Sequence, residues 1–141
     1  MDATRISRRL LDLAPRLMLM VRHESQAASA GNLGLAGFRA LSKLNQHGPL
    51  TPGDLAGWLG VSRPAVSRLC EALERQGLVR RDSGDGDRRS HRLVLNPAGR
   101  RRVEKVKDDV VRRLAARLTT LAPARRRRLD KAFQVLEENL P

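Results

Sequence analysis

Two helix starts and two helix ends fall within residues 51–77, and this spacing constrains the fold more than any other feature. Thr51 and Asp54 form a capping-box pattern, which predicts a helix start, and Gly60 can adopt the positive φ that ends a helix. Ser62 then caps a second helix, which Gly77 ends. Because so few residues separate Gly60 from Ser62, the sequence predicts two short helices joined by a tight turn, with one face of the second helix projecting outward.

The second helix of this pair has an apolar face and a polar face. The apolar face must be buried, and it consists of Val66, Leu69, Cys70 and Leu73. The N-terminal half of the opposite face is short, polar and basic, which suits base edges and phosphates in a major groove. The residues predicted to contact DNA there are Ser62, Arg63, Pro64, Ser67 and Arg68.

A basic β-hairpin is predicted directly after this helix. Two short β-compatible runs, LVRR and HRLVL, flank a tip rich in Gly, Asp and Ser. The hairpin, or wing, carries Arg80, Arg81, Arg88, Arg89 and Arg92. Arginine at a wing tip can enter a narrow minor groove, where the negative potential is deepest. We therefore expect Arg88 and Arg89 to contact the minor groove and Asp87 to hold Arg89 in place.

The order VSRPAVSRLCEALERQGLVRR, then GDRRSHRLVLNPAGRR, resembles the MarR family of bacterial winged-helix transcription regulators. Residues 87–89, Asp-Arg-Arg, are similar to that family's wing signature. The segment NPAGR is similar to its helix start after the wing, with Asn96 where Thr is common, and either residue can cap a helix. The resemblance covers nearly the whole chain and is strongest over residues 38–101.

The segments around this unit are predicted to be amphipathic helices. Residues from about 4 to 28 form one long helix, in which Pro15 implies a kink or a late start. A loop follows to residue 34, residues 35–46 form a second helix, and Leu50 is expected to add a stub of strand beside the wing.

Two further helices are predicted after the wing. Asn96 caps a long helix whose apolar seam comprises Val103, Val106, Val110, Leu114, Leu118 and Leu121. Pro123 starts a last helix with a stripe of Leu129, Phe133, Leu136 and Leu140. The long seam exceeds what a small domain needs for its own core, so it suggests a partner helix. Amphipathic helices at both termini would form a homodimer if they pack together across a two-fold axis, and the MarR resemblance implies the same arrangement.

The predicted fold class is therefore mainly α with a small β-hairpin wing. A winged helix-turn-helix unit, residues 35–101, lies between N- and C-terminal dimerisation helices at residues 1–34 and 102–141. We abbreviate this unit as the wHTH unit. A chain of 141 residues is expected to form a single domain.

The composition limits which class of molecule the protein is expected to bind. The formal net charge is +13 and the pI is about 11.6, which favours a polyanion. An arginine-rich surface alone would not show whether the protein binds a polyanion. The helix-turn-helix motif favours nucleic acid as the partner. The aromatic residues are only Phe38, Trp58 and Phe133. Their scarcity favours double-stranded DNA over single strands or RNA. The longest apolar run, residues 17–21, is too short for a membrane span, and a single cysteine fits the cytoplasm.

Other possible sites have simpler explanations. Cys70 lies on a buried stripe and is expected to be a core residue, not a redox switch. The histidines, His23, His47 and His91, have no metal-ligand spacing, and Asp82, Asp85 and Asp87 do not match a calcium loop. We therefore expect no metal and no cofactor, and since no catalytic motif is found, no enzyme activity.

Two conspicuous features are expected to be structural. Trp58 is predicted to lie in the core beneath the first short helix. The run Arg125–Arg128 is predicted to be a solvated face, although contact with Glu137 or Glu138 of a partner subunit is a weaker alternative.

These features predict a homodimeric, sequence-specific regulator of transcription that binds double-stranded DNA at a pseudo-palindromic operator. The MarR resemblance implies repression, and control by a small effector in a crevice between the dimerisation helices and the wHTH unit. Met18, Arg22 and Phe38 are candidates for lining that crevice. The alternative is an architectural protein that coats DNA, whose affinity falls steeply with salt and ignores sequence.

Overall fold

The computed structural model describes residues 2–29, 31–82 and 91–140. Within these ranges the chain is mainly helical, with one small antiparallel hairpin, which confirms the predicted fold class. The elements in chain order are α1 (Ala3–Ala28), α2 (Gly34–His47), α3 (Pro52–Leu59), α4 (Arg63–Arg75), β1 (Val79–Asp82), β2 (Arg92–Leu95), α5 (Pro97–Leu118) and α6 (Pro123–Asn139).

The caps that the sequence predicts are present at both ends of α3 and at the start of α4. The Thr51 N–H donates to Asp54 Oδ2 over 3.2 Å, and the Asp54 N–H donates to Thr51 Oγ1 over 3.1 Å. Gly60 ends α3 in the left-handed region at φ +66°. The Ala65 N–H donates to Ser62 Oγ over 3.3 Å at the start of α4. Local hydrogen bonds therefore fix where α3 begins and ends and where α4 begins.

The two strands of the wing pair antiparallel, with Val79 opposite Leu95 and Asp82 opposite Arg92. Leu50 forms an isolated antiparallel bridge to Leu93, which confirms the expected stub of strand. The wing is thereby attached to the segment between α2 and α3.

A single cluster of buried apolar side chains holds α2, α3, α4, the base of the wing and the first half of α5 together. Its most completely buried larger members include Leu41, Leu55, Leu73, Leu93, Val66 and Val103. The predicted apolar stripe of α4 belongs to this cluster, although Leu69 is only half-buried.

The junction between α4 and α5 is tight. A Cβ placed on Gly99 would overlap the carbonyl oxygen of Leu78, so only glycine fits. Asn96 occupies the N-cap position of α5, but its side chain makes no capping hydrogen bond, and that expectation was wrong. The Asn96 Nδ2 group instead donates to the Gly77 carbonyl over 3.1 Å. Capping would use the Oδ1 acceptor of Asn96, whereas this contact uses its Nδ2 donor and ties the start of α5 to the segment that follows α4.

The apolar seam of α5 is divided between two environments. Val103, Val106 and Val110 are buried in the chain's own core, whereas Leu118 is 38% exposed. The chain's own core therefore uses only the first half of the seam, and a partner helix for the second half stays a prediction. The cause is that α1 and α2 both pack on α5, covering the half nearer the wing.

The outer parts of the molecule are much less buried. α1 runs through Pro15, so the alternative of a late start was wrong, and residues 2–19 are all exposed. No residue of α6 is buried. Among the described residues, no helix is long and apolar enough to cross a membrane.

Trp58 does not lie in the core, and that prediction was wrong: the residue is 49% exposed. Its ring stacks on His47 with centroids 4.6 Å apart, and Lys43 Nζ lies 4.7 Å from the ring centroid. Leu55 and Leu59 already fill the buried face of α3. Trp58 therefore packs across the edge of α3 onto the end of α2.

Candidate nucleic-acid interface

The face of α4 opposite its buried stripe is open to solvent over the whole N-terminal half. The predicted contact residues Ser62, Arg63, Pro64, Ser67 and Arg68 are all exposed there. Ser67 and Arg68 make no side-chain hydrogen bond or ion pair with any residue that the structure describes. Their polar groups are therefore free to bind an external partner.

The hydroxyl of Ser62 has a structural role, since its oxygen accepts the hydrogen bond from the Ala65 N–H. Its proton remains available for donation to an acceptor such as a phosphate oxygen. Pro64 lies in the first turn of α4, where a missing N–H leaves no gap in the helix hydrogen bonding.

Arg63 lies apart from the other basic residue of this face. Its Nη2 atom would be 3.3 Å from a Cβ placed on Gly53, so the guanidinium rests against the first turn of α3. Thr51 Oγ1 is close to the same point. A guanidinium beside the starts of two helices suits a phosphate more than a base edge, since phosphate contacts set position and base contacts set specificity.

Two wing arginines have partners within the chain: Arg80 Nη1 lies 3.8 Å from Asp82 Oδ2, and Arg81 is paired with α4. Arg81 Nε donates to Glu74 Oε1 over 2.6 Å, and this hydrogen bond raises the pKa of the Arg81 guanidinium. The pair joins β1 to the last part of α4, so Arg81 orients the wing relative to that helix. Sequence analysis counted Arg81 only among the basic wing residues, because nothing in the pattern shows that the chain reverses and brings residues 74 and 81 together.

The proposed wing tip lies outside the described residues. Asp87, Arg88 and Arg89 all fall in this stretch, residues 83–90, so their predicted contacts stay predictions.

An open, mostly apolar groove of about 730 Å³ lies between α1 and the start of α2. Met18, Arg22 and Phe38, which are the three residues predicted to line an effector crevice, all border it. Arg39 borders it as well and adds a second cationic group. Sequence analysis missed Arg39 because it lies off the apolar stripe of α2. The structure brings these residues together, and their role in ligand binding stays a prediction.

A buried carboxylate ties α1 to α5 near this groove. The Glu24 side chain is 7% exposed, and its Oε1 lies 2.6 Å from Arg117 Nη2. Arg113 Nη1 lies 4.0 Å from Glu24 Oε2, and Arg113 Nε also donates to Asp109 over 3.1 Å. Sequence analysis missed this cluster. The available signal is that Glu24 continues the apolar stripe of α1, three residues after Val21, where a charge requires a partner.

Cys70 is fully buried, and burial raises the pKa of its thiol. This confirms the prediction that it behaves as a small core residue. Among the described residues, no group of three or more His, Cys, Asp or Glu side chains could hold a metal ion.

The chain resembles known proteins over this interface. Residues 33–91 match the model of the MarR family. The chain is 38% identical over 72 residues to the uncharacterized HTH-type transcriptional regulator YcgE of Bacillus subtilis, covering 50% of this chain and 46% of that protein. It is 25% identical over 109 residues to a second such regulator, YfiV, covering 77% of this chain and 68% of YfiV. The chain thus spans less than half of the length of YcgE.

Solved structures extend the likeness to nearly the whole chain. RV1404 from Mycobacterium tuberculosis has a TM-score of 0.71 at 28% identity, with 98% of this chain and 94% of RV1404 covered. The transcriptional regulator Tm0710 from Thermotoga maritima has a TM-score of 0.80 at 24% identity, with 93% of both chains covered. A MarR family protein from Bacillus stearothermophilus has a TM-score of 0.71 at 22% identity, with 98% of this chain and 97% of that protein covered.

The fold and the exposed helix define a winged helix-turn-helix protein. Residues 33–91 are similar to the MarR family of transcription regulators, the named relatives are HTH-type transcriptional regulators, and the solved structures share the fold.

Proposed function

We propose that the protein is a homodimeric repressor that binds double-stranded DNA sequence-specifically. The observation that carries the proposal is the outward face of α4, where Ser67 and Arg68 project without partners among the described residues. A helix presented in this way fits a major groove, where arginine can bind guanine through two hydrogen bonds. Arg63, against the start of α3, would contact a phosphate and fix the position of α4.

The proposed dimer is supported by apolar side chains that the chain leaves uncovered at its two ends. α1 exposes Ile6, Leu10, Leu11, Leu13, Leu17, Met18 and Leu19, and α6 exposes Phe133 and Val135. Exposed apolar side chains grouped on one chain in this way favour an interface. A closed dimer with two-fold symmetry would bind a pseudo-palindromic site with half-site centres about one helical turn apart.

The proposed effector site is the groove bordered by Met18, Arg22 and Phe38. Its apolar walls and its two arginines, Arg22 and Arg39, suit a small amphipathic anion. Such a ligand would release DNA only if it bound more tightly to a dimer whose α4 helices are misplaced for the two half-sites.

A coating protein without sequence preference is the competing proposal, and the charge distribution favours it. Residues 1–34 and 102–141 carry sixteen Lys and Arg and nine Asp and Glu, so +7 of the net +13 lies outside the wHTH unit. Charge that is spread over the whole molecule is what sequence-independent binding to phosphates needs.

Fluorescence anisotropy with DNA selected from a random pool separates the two proposals. The selected site and a scrambled duplex of equal length are titrated at about 0.15 M salt, where long-range attraction is already screened. The repressor predicts a preference of about a thousandfold or more for the selected site. Equal and steeply salt-dependent binding to both duplexes would contradict it and support the coating protein.

A further inference from the structure

We propose that α6 pairs antiparallel with α6 of a second copy of this chain, so that Arg126 of each copy faces Glu137 of the partner subunit. The inference rests on the dimer proposed above. It adds the register of one part of the interface, and it gives the Arg125–Arg128 run a function.

The apolar stripe of α6 has no cover within the part of the chain that the structure describes. Phe133 is 45% exposed, Leu140 is 66% exposed, and Leu129 and Leu136 are only half-buried. The stripe runs the length of the helix at helical spacing, so one partner surface could cover all of it.

The charges of α6 are arranged against its own dipole. The first turns carry Arg125–Arg128 with no acidic residue in the first turn, and Ala122 at the N-cap position offers no side-chain hydrogen bond. Glu137 and Glu138 lie near the other end, whose last turn has no basic residue. A helix dipole favours acidic groups at its N-terminus and basic groups at its C-terminus, so both clusters are unfavourable in an isolated α6.

The other described residues supply no ion-pair partners for the charges at the two ends of α6. None of Arg125–Arg128, Glu137 and Glu138 forms an ion pair or side-chain hydrogen bond with any residue in the ranges 2–29, 31–82 and 91–140. These charges therefore lack partners within one described subunit.

A second α6 in antiparallel orientation would relieve both ends at once. It places the acidic end of one helix beside the basic end of the other, and it opposes the two helix dipoles. The registers agree as well. The midpoint of Arg126 and Glu137 lies about one residue, or ~1.5 Å along the axis, from the midpoint of Leu129 and Leu136. The same two-fold axis can therefore align the apolar stripe and the charges.

Helical spacing places Arg126 and Glu137 on the same edge of the stripe, whereas Arg125 borders the opposite edge. Arg126 precedes Leu129 by three residues and Phe133 by seven, and Glu137 follows Phe133 by four. Arg127 and Glu138 instead neighbour Gln134, at spacings of seven and four, and lie away from the stripe. The second pair therefore provides controls with the same charge in nearly the same position along the dipole.

The test is a charge exchange measured by sedimentation velocity and by subunit exchange between fluorescently labelled full-length chains. Arg126→Glu and Glu137→Arg should each raise the dimer dissociation constant about tenfold or more, because each creates two repulsive contacts per dimer. A mixture of the two variants should form heterodimers with about the wild-type affinity, because both contacts become attractive again. The effects should shrink toward 1 M salt, where screening acts over about 3 Å.

Arg127→Glu and Glu138→Arg change the net charge identically, and they should dimerise like the wild type, alone or mixed. Circular dichroism verifies that every variant folds. If Arg126→Glu and Glu137→Arg also dimerise like the wild type, the register is overturned while the proposed dimer and its DNA binding stand. If the wild-type chain is monomeric at micromolar concentration, the proposed dimer itself is overturned, and the register with it.

Discussion

α4 and α6 have similar sequence patterns and opposite environments. Each has proline in its first turn, carries arginine near its N-terminus and has a stripe of apolar residues on one face. In α4 the stripe residues Val66, Cys70 and Leu73 are at most 1% exposed, whereas in α6 Phe133 is 45% exposed. An apolar stripe thus shows that a face needs cover, but it does not show which chain supplies the cover.

The difference arises from how each helix is connected. α4 follows α3 through a turn with caps at Gly60 and Ser62. Because the turn is short, the apolar stripe of α4 packs against α2 and α3. α6 follows α5 after that helix has passed beyond the core, at Leu118. None of the described residues buries α6.

The comparison is tested most strongly by truncating one leucine in each stripe. Leu73→Ala should lower the free energy of unfolding by about 2–5 kcal/mol, because it leaves a cavity in a closed core. Leu136→Ala should change the unfolding of the monomer by less than about 0.5 kcal/mol and should weaken the dimer instead. Urea denaturation at low protein concentration and sedimentation velocity measure the two effects. Equal losses of monomer stability would contradict the difference in environment.

A second pair of variants tests how tightly the wHTH unit is packed. Gly99→Ala should cost about 1–3 kcal/mol or more, because the new methyl group meets the Leu78 carbonyl. Gly57→Ala is the control, since it also lies in a helix but has no atom within 4 Å of its Cβ position. It should stabilise the protein by up to about 1 kcal/mol. Thermal denaturation measures both melting temperatures. If the two substitutions shift them in the same direction, the close approach of Leu78 to Gly99 does not determine the effect of Gly99→Ala.

Variants of the buried carboxylate Glu24 test the contact between α1 and α5. Glu24→Gln should cost about 1–2 kcal/mol, less than for a fully buried pair, because the Arg117 side chain is 52% exposed. Arg117→Ala in the same background should add little, since the two side chains act together. A double-mutant cycle by urea denaturation measures this coupling. Additive losses would mean that Glu24 and Arg117 do not stabilise the α1–α5 contact jointly.

The smallest effect expected is the pH response of Cys70. Burial raises the pKa of this thiol above its unfolded value of 9.0, so the folded protein retains the proton more strongly. Its contribution to stability is present in full below pH 9.0 and is lost as pH rises through the folded pKa. Wild type should therefore lose more stability than Cys70→Ala between neutral pH and about pH 10. Parallel urea midpoints for the two proteins would contradict this.

The wHTH unit could be predicted because its signals are local. Thr51 with Asp54, Gly60 and Ser62 each act on neighbouring backbone groups, so the residue types alone predict the caps that form. The strand runs around the wing and the stub at Leu50 follow from similarly short patterns.

The errors occur where distant segments decide. Trp58 fits the apolar face of α3 by spacing, but Leu55 and Leu59 fill that face, so Trp58 packs on His47. Asn96 is a good cap by type and occupies the N-cap position, yet its only side-chain hydrogen bond among the described residues runs from Nδ2 to the Gly77 carbonyl, 19 residues away in the sequence. The Glu24 and Arg81 ion pairs join segments whose proximity depends on the finished fold.

The central claim is that the outward face of α4 reads DNA sequence, and one matched pair of variants tests it directly. Arg68→Ala removes one positive charge from the outward face of α4. Arg127→Ala removes one from the face of α6 that lies away from its apolar stripe. Anisotropy titrations of both with the selected site and a scrambled duplex should show that Arg68→Ala loses about 1–3 kcal/mol of preference for the site. Arg127→Ala should keep that preference. An unchanged preference in Arg68→Ala, or equal losses in both variants, would contradict the claim.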